Sequence, residues 1–212
     1  MQGRSLAIWT FAVTSVALVM VMLDNLVVST ALNVIRQELG ATIEQLEWTV
    51  NAYTLTFAVF LLTGAALGDR FGRRRMFIIG VLIFTAASAL AAMSTSVEML
   101  LVGRMAQGIG AAIVTPLTLT LLSASVPSER RGVALGAWGA VGAMAVAIGP
   151  LVGGAIVEGV AWNWIFWVNV PIGIALIPLA WFGLRESHGP AGRLDLPGVG
   201  LASVGLFGIV WA

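Results

Sequence analysis

Two ionisable side chains stand well inside long apolar runs: Asp24 in LVMVMLDNLVVST and Arg104 in MLLVGRMAQGIGAA. A carboxylate withdrawn from water resists carrying charge, and a guanidinium within reach restores it, so such a pair can bind and release a proton. A static structural ion pair uses the same two residue types, and a lone arginine can extend its head to the membrane surface. If both runs are helices, Asp24 lies ~15 Å and Arg104 ~9 Å below the same face of the bilayer, so the two can meet. An isolated charge at the centre of a span costs about 2.5–3.5 kcal/mol, which favours a partner or a polar cavity. Around Arg104 the spacing repeats with helical period: Arg104, Gln107, Gly108, Ala111 and Thr115 share one face. A polar stripe of this kind predicts a water-accessible cavity.

The elements that must hold these residues follow from the solvent they imply. Hydrophobic residues make up 59% of the 212, charged residues 10%, and the mean hydropathy is +0.98, well above the roughly 45–50% apolar content of a soluble domain. Uncharged runs recur at Ser5–Leu23, Trp48–Gly68, Met76–Val97, Met105–Ser128, Gly132–Val157 and Gly159–Leu184, each long enough to cross a bilayer as a helix of ~20 residues. A soluble all-α protein built from them would lack the polar surface to cover itself. The reading is an all-α polytopic membrane protein with helices over 6–33, 46–68, 76–95, 98–125, 131–157 and 163–184. Residues 1–184 form a six-helix bundle, 185–195 a connection on the inner side, and 196–212 the start of a seventh helix. That last run ends without a polar flank, so the chain is expected to be the N-terminal part of a longer protein whose other half is a partner.

All basic residues are arginine. With the N-terminus in the cytoplasm, Arg4, Arg70, Arg73, Arg74, Arg75, Arg130, Arg131, Arg185 and Arg193 lie inside, against Arg36 outside, as the positive-inside rule requires. The first apolar run continues through Asp24-Asn25-Leu26 without a small-residue cleavage site and reads as a retained helix. The absence of cysteine excludes disulfides and thiolate metal sites. No metal or cofactor motif is present, and the net charge of +1 gives no sign of a nucleic-acid partner. The lone histidine, His188, and the lack of a nucleotide-binding loop argue against an enzyme.

Two further stretches carry information. GDRFGRRR, residues 68–75, concentrates charge in the turn between the second and third helices. The fifth helix projects Gly132, Gly136, Gly139, Gly142, Gly149, Pro150, Gly153 and Gly154 within an arc of about 140°. Small residues on one face allow close helix approach, either as fixed packing or as a sliding contact. Pro150 frees the carbonyl of Val146 and is expected to bend the helix.

These segments together resemble the major facilitator superfamily, and within it the fourteen-helix drug:proton antiporter branch (EmrB/QacA type), from about Leu18 to Leu201. Leu67, Asp69, Arg70, Gly72, Arg73 and Arg74 match the loop pattern G-x-L-x-D-R-x-G-R-R, with Ala65 at its leading glycine and Gly64 one position earlier. The resemblance implies that Asp69, Arg70, Gly72, Arg73 and Arg74 act as a conformational latch, with Glu129 in SERRG as an acidic partner. LVGRMAQGIGAA matches the helix 4 motif whose arginine is linked to proton transfer. GPLVGG, with Gly149, Pro150, Gly153 and Gly154, matches the antiporter motif of helix 5. MLDNLVVSTAL matches the helix 1 motif with Ser29 and Asn33 in place of the usual asparagine and proline. AWNWIFWVNVPIG matches the start of helix 6, and RLDLPG the segment before helix 7.

The fold this implies is the major facilitator N-terminal six-helix bundle, a 3+3 inverted repeat, plus the start of a seventh helix. The function implied is export of amphipathic small molecules through the cell membrane by alternating access, driven by protons that Asp24 binds and Arg104 tunes. Gln107, Thr115 and Tyr53 would line the substrate cavity. A proton-coupled nutrient symporter, and a half-transporter inactive on its own, stay open as alternatives.

Overall fold

A computed structural model of the chain describes residues 3–189, together with Gly198, Gly200, Leu201, Val204, Gly205 and Gly208. In hydrocarbon each backbone amide must find its partner within the chain, and helices do this locally. The helices are α1 (Gly3–Leu39), α2 (Ile43–Phe71), α3 (Arg73–Ala92), α4 (Val97–Ser125), α5 (Arg131–Gly159), α6 (Trp164–Trp167) and α7 (Asn169–Gly183), with a 3₁₀ turn at Ser128–Arg130 before α5. Among the described residues six spans are long and apolar enough to cross a membrane, and α6 with α7 forms the sixth. The expected start of a seventh helix over 196–212 lies largely outside the described residues.

Where boundaries differ from expectation, local chemistry explains them. α1 continues past residue 33 because Asn33, unlike proline, sustains the helix. It ends at Gly40, whose φ is 64°, with Ala41 N–H donating to the Arg36 carbonyl at 3.2 Å, a glycine-stopped C-terminus. α2 begins early because Thr42 and Gln45 form a reciprocal capping box, each side chain accepting from the other's backbone N–H. Between α2 and α3 only Gly72 is non-helical, at φ 106°, so the charged octet is almost wholly two helix ends meeting. In the sixth span Val168 keeps helical backbone angles, φ −58° and ψ −33°, and donates to the Trp164 carbonyl at 3.1 Å, so α6 and α7 run on as one span. Pro171 has no N–H for the Trp167 carbonyl, which loosens the helix there. α5 is likewise helical through Pro150.

The packing order has an internal symmetry. α2 packs on α4 as α5 packs on α1, while α1 crosses α4 and α3 packs on α7. Those are the pairings that result when helices 1–3 map onto 4–6, the 3+3 inverted repeat. Glycines set the closest approaches. A Cβ at Gly64 would lie 2.5 Å from the Ala112 carbonyl oxygen and 2.8 Å from Ile113 Cα. The close contact thus belongs to Gly64, one position before the place the loop pattern assigns. Two apolar clusters fill the interior, one around Phe77, Phe84 and Leu117 and the other around Ile35, Leu100 and Trp162. The polar site lies between them.

Candidate functional site

Asp24 comes from the middle of α1 and Arg104 from the second turn of α4, and the crossing of these helices brings their side chains together. Arg104 Nη1 donates to Asp24 Oδ2 at 2.6 Å, and both side chains have 0% exposure. Gln107, one turn along α4, donates from Nε2 to Asp24 Oδ1 at 2.9 Å and to Ser88 Oγ of α3 at 2.8 Å. Its Oε1 accepts from Arg104 Nη1 at 3.0 Å. Asn169, the first residue of α7, donates from Nδ2 to Asp24 Oδ1 at 2.7 Å. From α2, the Thr49 carbonyl accepts from Arg104 Nε at 3.3 Å. The Tyr53 ring lies 4.3 Å from the guanidinium carbon, and the Phe166 ring 5.9 Å. A buried carboxylate and guanidinium are therefore matched in charge, hydrogen-bonded and sandwiched by aromatic faces, the arrangement under which buried charges persist. One donor, Arg104 Nη2, is buried without a partner.

Sequence periodicity located the polar face of α4 but gave it the wrong surroundings. Arg104, Gln107, Gly108 and Ala111 are all buried in the bundle, so the stripe faces other helices and not an open aqueous cavity. The reason is that neighbouring helices supply its polar environment: a carboxylate, a hydroxyl, an amide and a carbonyl. Gln107 and Tyr53 belong to the Asp24 network. Thr115 does not, and its hydroxyl oxygen is buried without a partner. Beside the network is a small cavity of about 110 Å³, lined by Asp24 and Asn169 and by aliphatic side chains of α1, α5 and α7. Asn169, Ser88 and Thr49 were missed as site residues. Asn169 and Ser88 stood out only as polar residues within apolar runs, which does not say what they face, and Thr49 left no signal because it contributes its backbone carbonyl.

At the arginine-rich end, the octet is held by a different acid from the one expected. Asp69 Oδ1 accepts from Arg73 Nε at 2.8 Å and pairs with its Nη2 at 2.8 Å. Glu186, just after α7, accepts from the backbone N–H of Arg74 at 2.9 Å and of Arg75 at 3.3 Å. It thus caps the N-terminus of α3 from a distant part of the chain. Arg73 N–H donates to the Ser187 carbonyl at 2.9 Å, and Gly189 N–H to the Asp69 carbonyl at 3.1 Å. The Arg74 guanidinium lies 5.3 Å from the centre of the Trp181 ring, and that of Arg70 at the same distance from Phe71. Gly72 is needed twice over, for its positive φ and because a Cβ would meet Glu186 Cδ at 2.8 Å. Glu129 instead accepts from the Ser128 hydroxyl at 2.8 Å, exposed in the α4–α5 turn. The correction is topological: α3 packs against α7, so the segment after α7 meets the octet.

Glu186→Ala is expected to lower the stability of the folded protein by about 1–2 kcal/mol, as loss of a helix cap does. Glu129→Ala is expected to change it by less than about 0.5 kcal/mol. Thermal unfolding in detergent compares them, and equal effects would contradict this assignment.

The small-residue face of α5 divides. Gly142 and Gly149 seat Leu18 and Leu26 of α1, with a Cβ at 3.1 and 3.0 Å, and Gly153 lies tighter still, against the Thr30 hydroxyl, with Val27 at 3.0 Å. Gly132, Gly136, Gly139 and Gly154 meet nothing within 4 Å, and Pro150 is exposed.

Known proteins share this architecture. The chain is 43% identical over 97% of its length to an uncharacterised MFS-type transporter of Mycobacterium tuberculosis. It is 39% identical over 95% to the methylenomycin A resistance protein of Bacillus subtilis, and 35% identical over 95% to the tetracenomycin C resistance and export protein of Streptomyces glaucescens. It spans 35%, 44% and 38% of the length of these three relatives. Among solved structures, a bacterial homologue of the human lysosomal transporter Spinster superposes with a TM-score of 0.67 at 19% identity, covering 90% of this chain and 46% of that one. The sequence profile of the Major Facilitator Superfamily matches residues 14–211. A match over nearly the whole chain, on a bundle of this topology, means that the chain belongs to the major facilitator superfamily.

Proposed function

We propose that this chain is the N-terminal bundle of a proton-coupled exporter of amphipathic small molecules, set in the cell membrane with its N-terminus in the cytoplasm. The observation that carries the reading is the Asp24–Arg104 pair, with no exposure and donors from two further side chains. Such a pair is a poor device for stability, since matched hydrophobic residues would serve as well or better. It is well suited to a carboxylate that must hold a proton at one stage and release it at another. The relatives named for methylenomycin A resistance and for tetracenomycin C resistance and export point to efflux.

In this mechanism Asp24 is the proton carrier and Arg104 balances its charge when the proton leaves. The bundle rocks against the remaining part of the transporter around a shared cavity. The open glycines of α5, with Pro150, give a smooth surface for that motion, and Gly149 and Gly153 keep α5 fixed to α1. Asp69, Arg70, Gly72, Arg73 and Arg74 form the latch at the cytoplasmic end, with Glu186 taking the part first given to Glu129.

The test uses the native open reading frame in everted membrane vesicles. With an acid lumen, the protein is expected to accumulate ethidium or a similar fluorescent amphiphile against its gradient. Asp24→Asn is expected to reduce that accumulation at least tenfold while the variant inserts in normal amount. Undiminished proton-driven accumulation in Asp24→Asn would overturn the proposal.

A further inference from the structure

Three side chains donate to Asp24, and they differ in what they can do once the carboxylate takes up a proton. A protonated carboxyl group becomes a donor itself and needs an acceptor for its O–H. Arg104 has no acceptor to offer. Gln107 has one, but its Oε1 already accepts from Arg104 and its Nε2 also holds Ser88. Turning that amide over would break both contacts. Asn169 is different. Among the described residues its side chain makes one hydrogen bond, the 2.7 Å bond to Asp24 Oδ1, and it lines the cavity of about 110 Å³ beside the pair.

The position of Asn169 in the chain adds to this. It is buried, at the junction of α6 and α7 in the sixth span. Pro171, two residues on, leaves the Trp167 carbonyl without its helical donor. Arg104 and Gln107, by contrast, stand well before Pro116, the proline inside α4, and α4 packs against both α2 and α3. Of the three contacts to Asp24, the one from Asn169 lies beside a missing backbone hydrogen bond.

We infer that Asn169 is a positioning residue that reads the protonation state of Asp24 by turning its side-chain amide over. With Asp24 ionised, Nδ2–H donates to the carboxylate. With Asp24 protonated, the carboxyl O–H donates to Oδ1, and the cavity gives the amide room to turn. The proton stays on Asp24 throughout; only the direction of the hydrogen bond changes. Because the contact sits beside the hydrogen bond missing at Pro171, the reversal is passed to the sixth span. This inference rests on the proposal that Asp24 is the proton carrier.

The groups that face Asp24 are few. α4 contributes Arg104 and Gln107. α2 contributes Tyr53 and the Thr49 carbonyl, both through Arg104, and α3 contributes Ser88 through Gln107. From α5 the cavity is lined by Val152 and Ile156, which are neither charged nor titratable. No second titratable group on these elements touches the Asn169 amide among the described residues.

The test compares Asn169→Leu, which has nearly the same shape but neither donates nor accepts, with Asn169→Gln, which keeps an amide of both characters. Substrate-induced proton release is measured against pH on the full-length transporter, with ethidium as the probe. For Asn169→Leu both forms of Asp24 lose a hydrogen bond, so the midpoint of the pH profile is expected to rise by less than about one unit, whereas loss of a fixed donor from the carboxylate alone would raise it further. Asn169→Gln is expected to recover at least half of that shift. Acid-minus-neutral infrared difference spectra of asparagine-labelled wild-type protein supply a measurement that does not depend on a variant folding. They are expected to show an amide carbonyl band that shifts on acidification and is absent in Asn169→Gln.

A midpoint raised by well over about one unit in Asn169→Leu, the result for a donor that serves only the ionised form, or labelled spectra with no asparagine band, would overturn the inference. If Asp24→Asn still abolished coupled export in that case, the proton-carrier proposal would stand without it. Full proton release from Asp24→Asn would instead remove the proposal on which the inference rests.

Discussion

Asp24→Leu is expected to destabilise the folded bundle more than Arg104→Met, although each removes one half of the same ion pair. Breaking a buried pair from one side costs about 3–5 kcal/mol, because the other charge is left uncompensated. The two remnants differ in their way out. Without Arg104, Asp24 can take up a proton and become a neutral group that Gln107 and Asn169 still contact. Without Asp24, Arg104 stays charged at any accessible pH and is left with neutral partners, the Thr49 carbonyl, Gln107 and the Tyr53 and Phe166 rings. Lowering the pH should therefore restore part of the stability of Arg104→Met and none of that of Asp24→Leu. The double variant, with no charge left, is expected to be more stable than either single variant and inactive in transport. Denaturant titration in mixed micelles at two pH values measures all three. Equal losses that do not respond to pH would mean that the pair is not electrostatically closed as described.

The second large effect is steric. A Cβ at Gly110 would lie 2.7 Å from the backbone N of Phe84 and 2.9 Å from its Cα. Backbone atoms cannot move aside as a side chain can, so Gly110→Val must push α3 away from α4. That opens the cluster in which Phe77, Phe84 and Leu117 are completely buried. Overpacking a tight site costs about 1–3 kcal/mol and more where backbone must shift, so Gly110→Val is expected near or above the top of that range. Gly139→Val is the control: it meets nothing within 4 Å and should leave the unfolding midpoint within about 0.5 kcal/mol of wild type. Gel-filtration profiles and unfolding curves separate the two, and an equally stable Gly110→Val would refute the α3–α4 contact.

Much of this was readable in the residues. The recurrent uncharged runs determine that the solvent is lipid, and lipid leaves helices as the economical way to pair backbone groups. The span boundaries were legible to within a few residues, with departures at Asn33, at Thr42 with Gln45, at Gly72, where both flanking helices run into the octet, and at the end of α3. Asp24 and Arg104 were legible as partners, because both are charges at similar depth in helices that must avoid isolated charge.

The rest depends on which helix lies beside which, and periodicity along one helix carries no information about that. Asn169 reaches Asp24 across 145 positions of sequence, and Glu186 reaches Arg74 across 112. Glu129 was the nearer acid to the octet in sequence, but the packing of α3 on α7 chose Glu186. Helical spacing placed the α5 glycines on one broad face, and only the seating of α1 divided that face into packed and open parts. The inverted repeat left no clear trace in the residues, because its halves place different side chains on equivalent backbones, and it emerges only in the order of helix pairing. The sequence by itself determined the solvent, the helices and the two charges that could not remain alone. The tertiary structure decided their other partners, because hydrogen-bond satisfaction and steric contact are properties of neighbouring helices and not of any one of them.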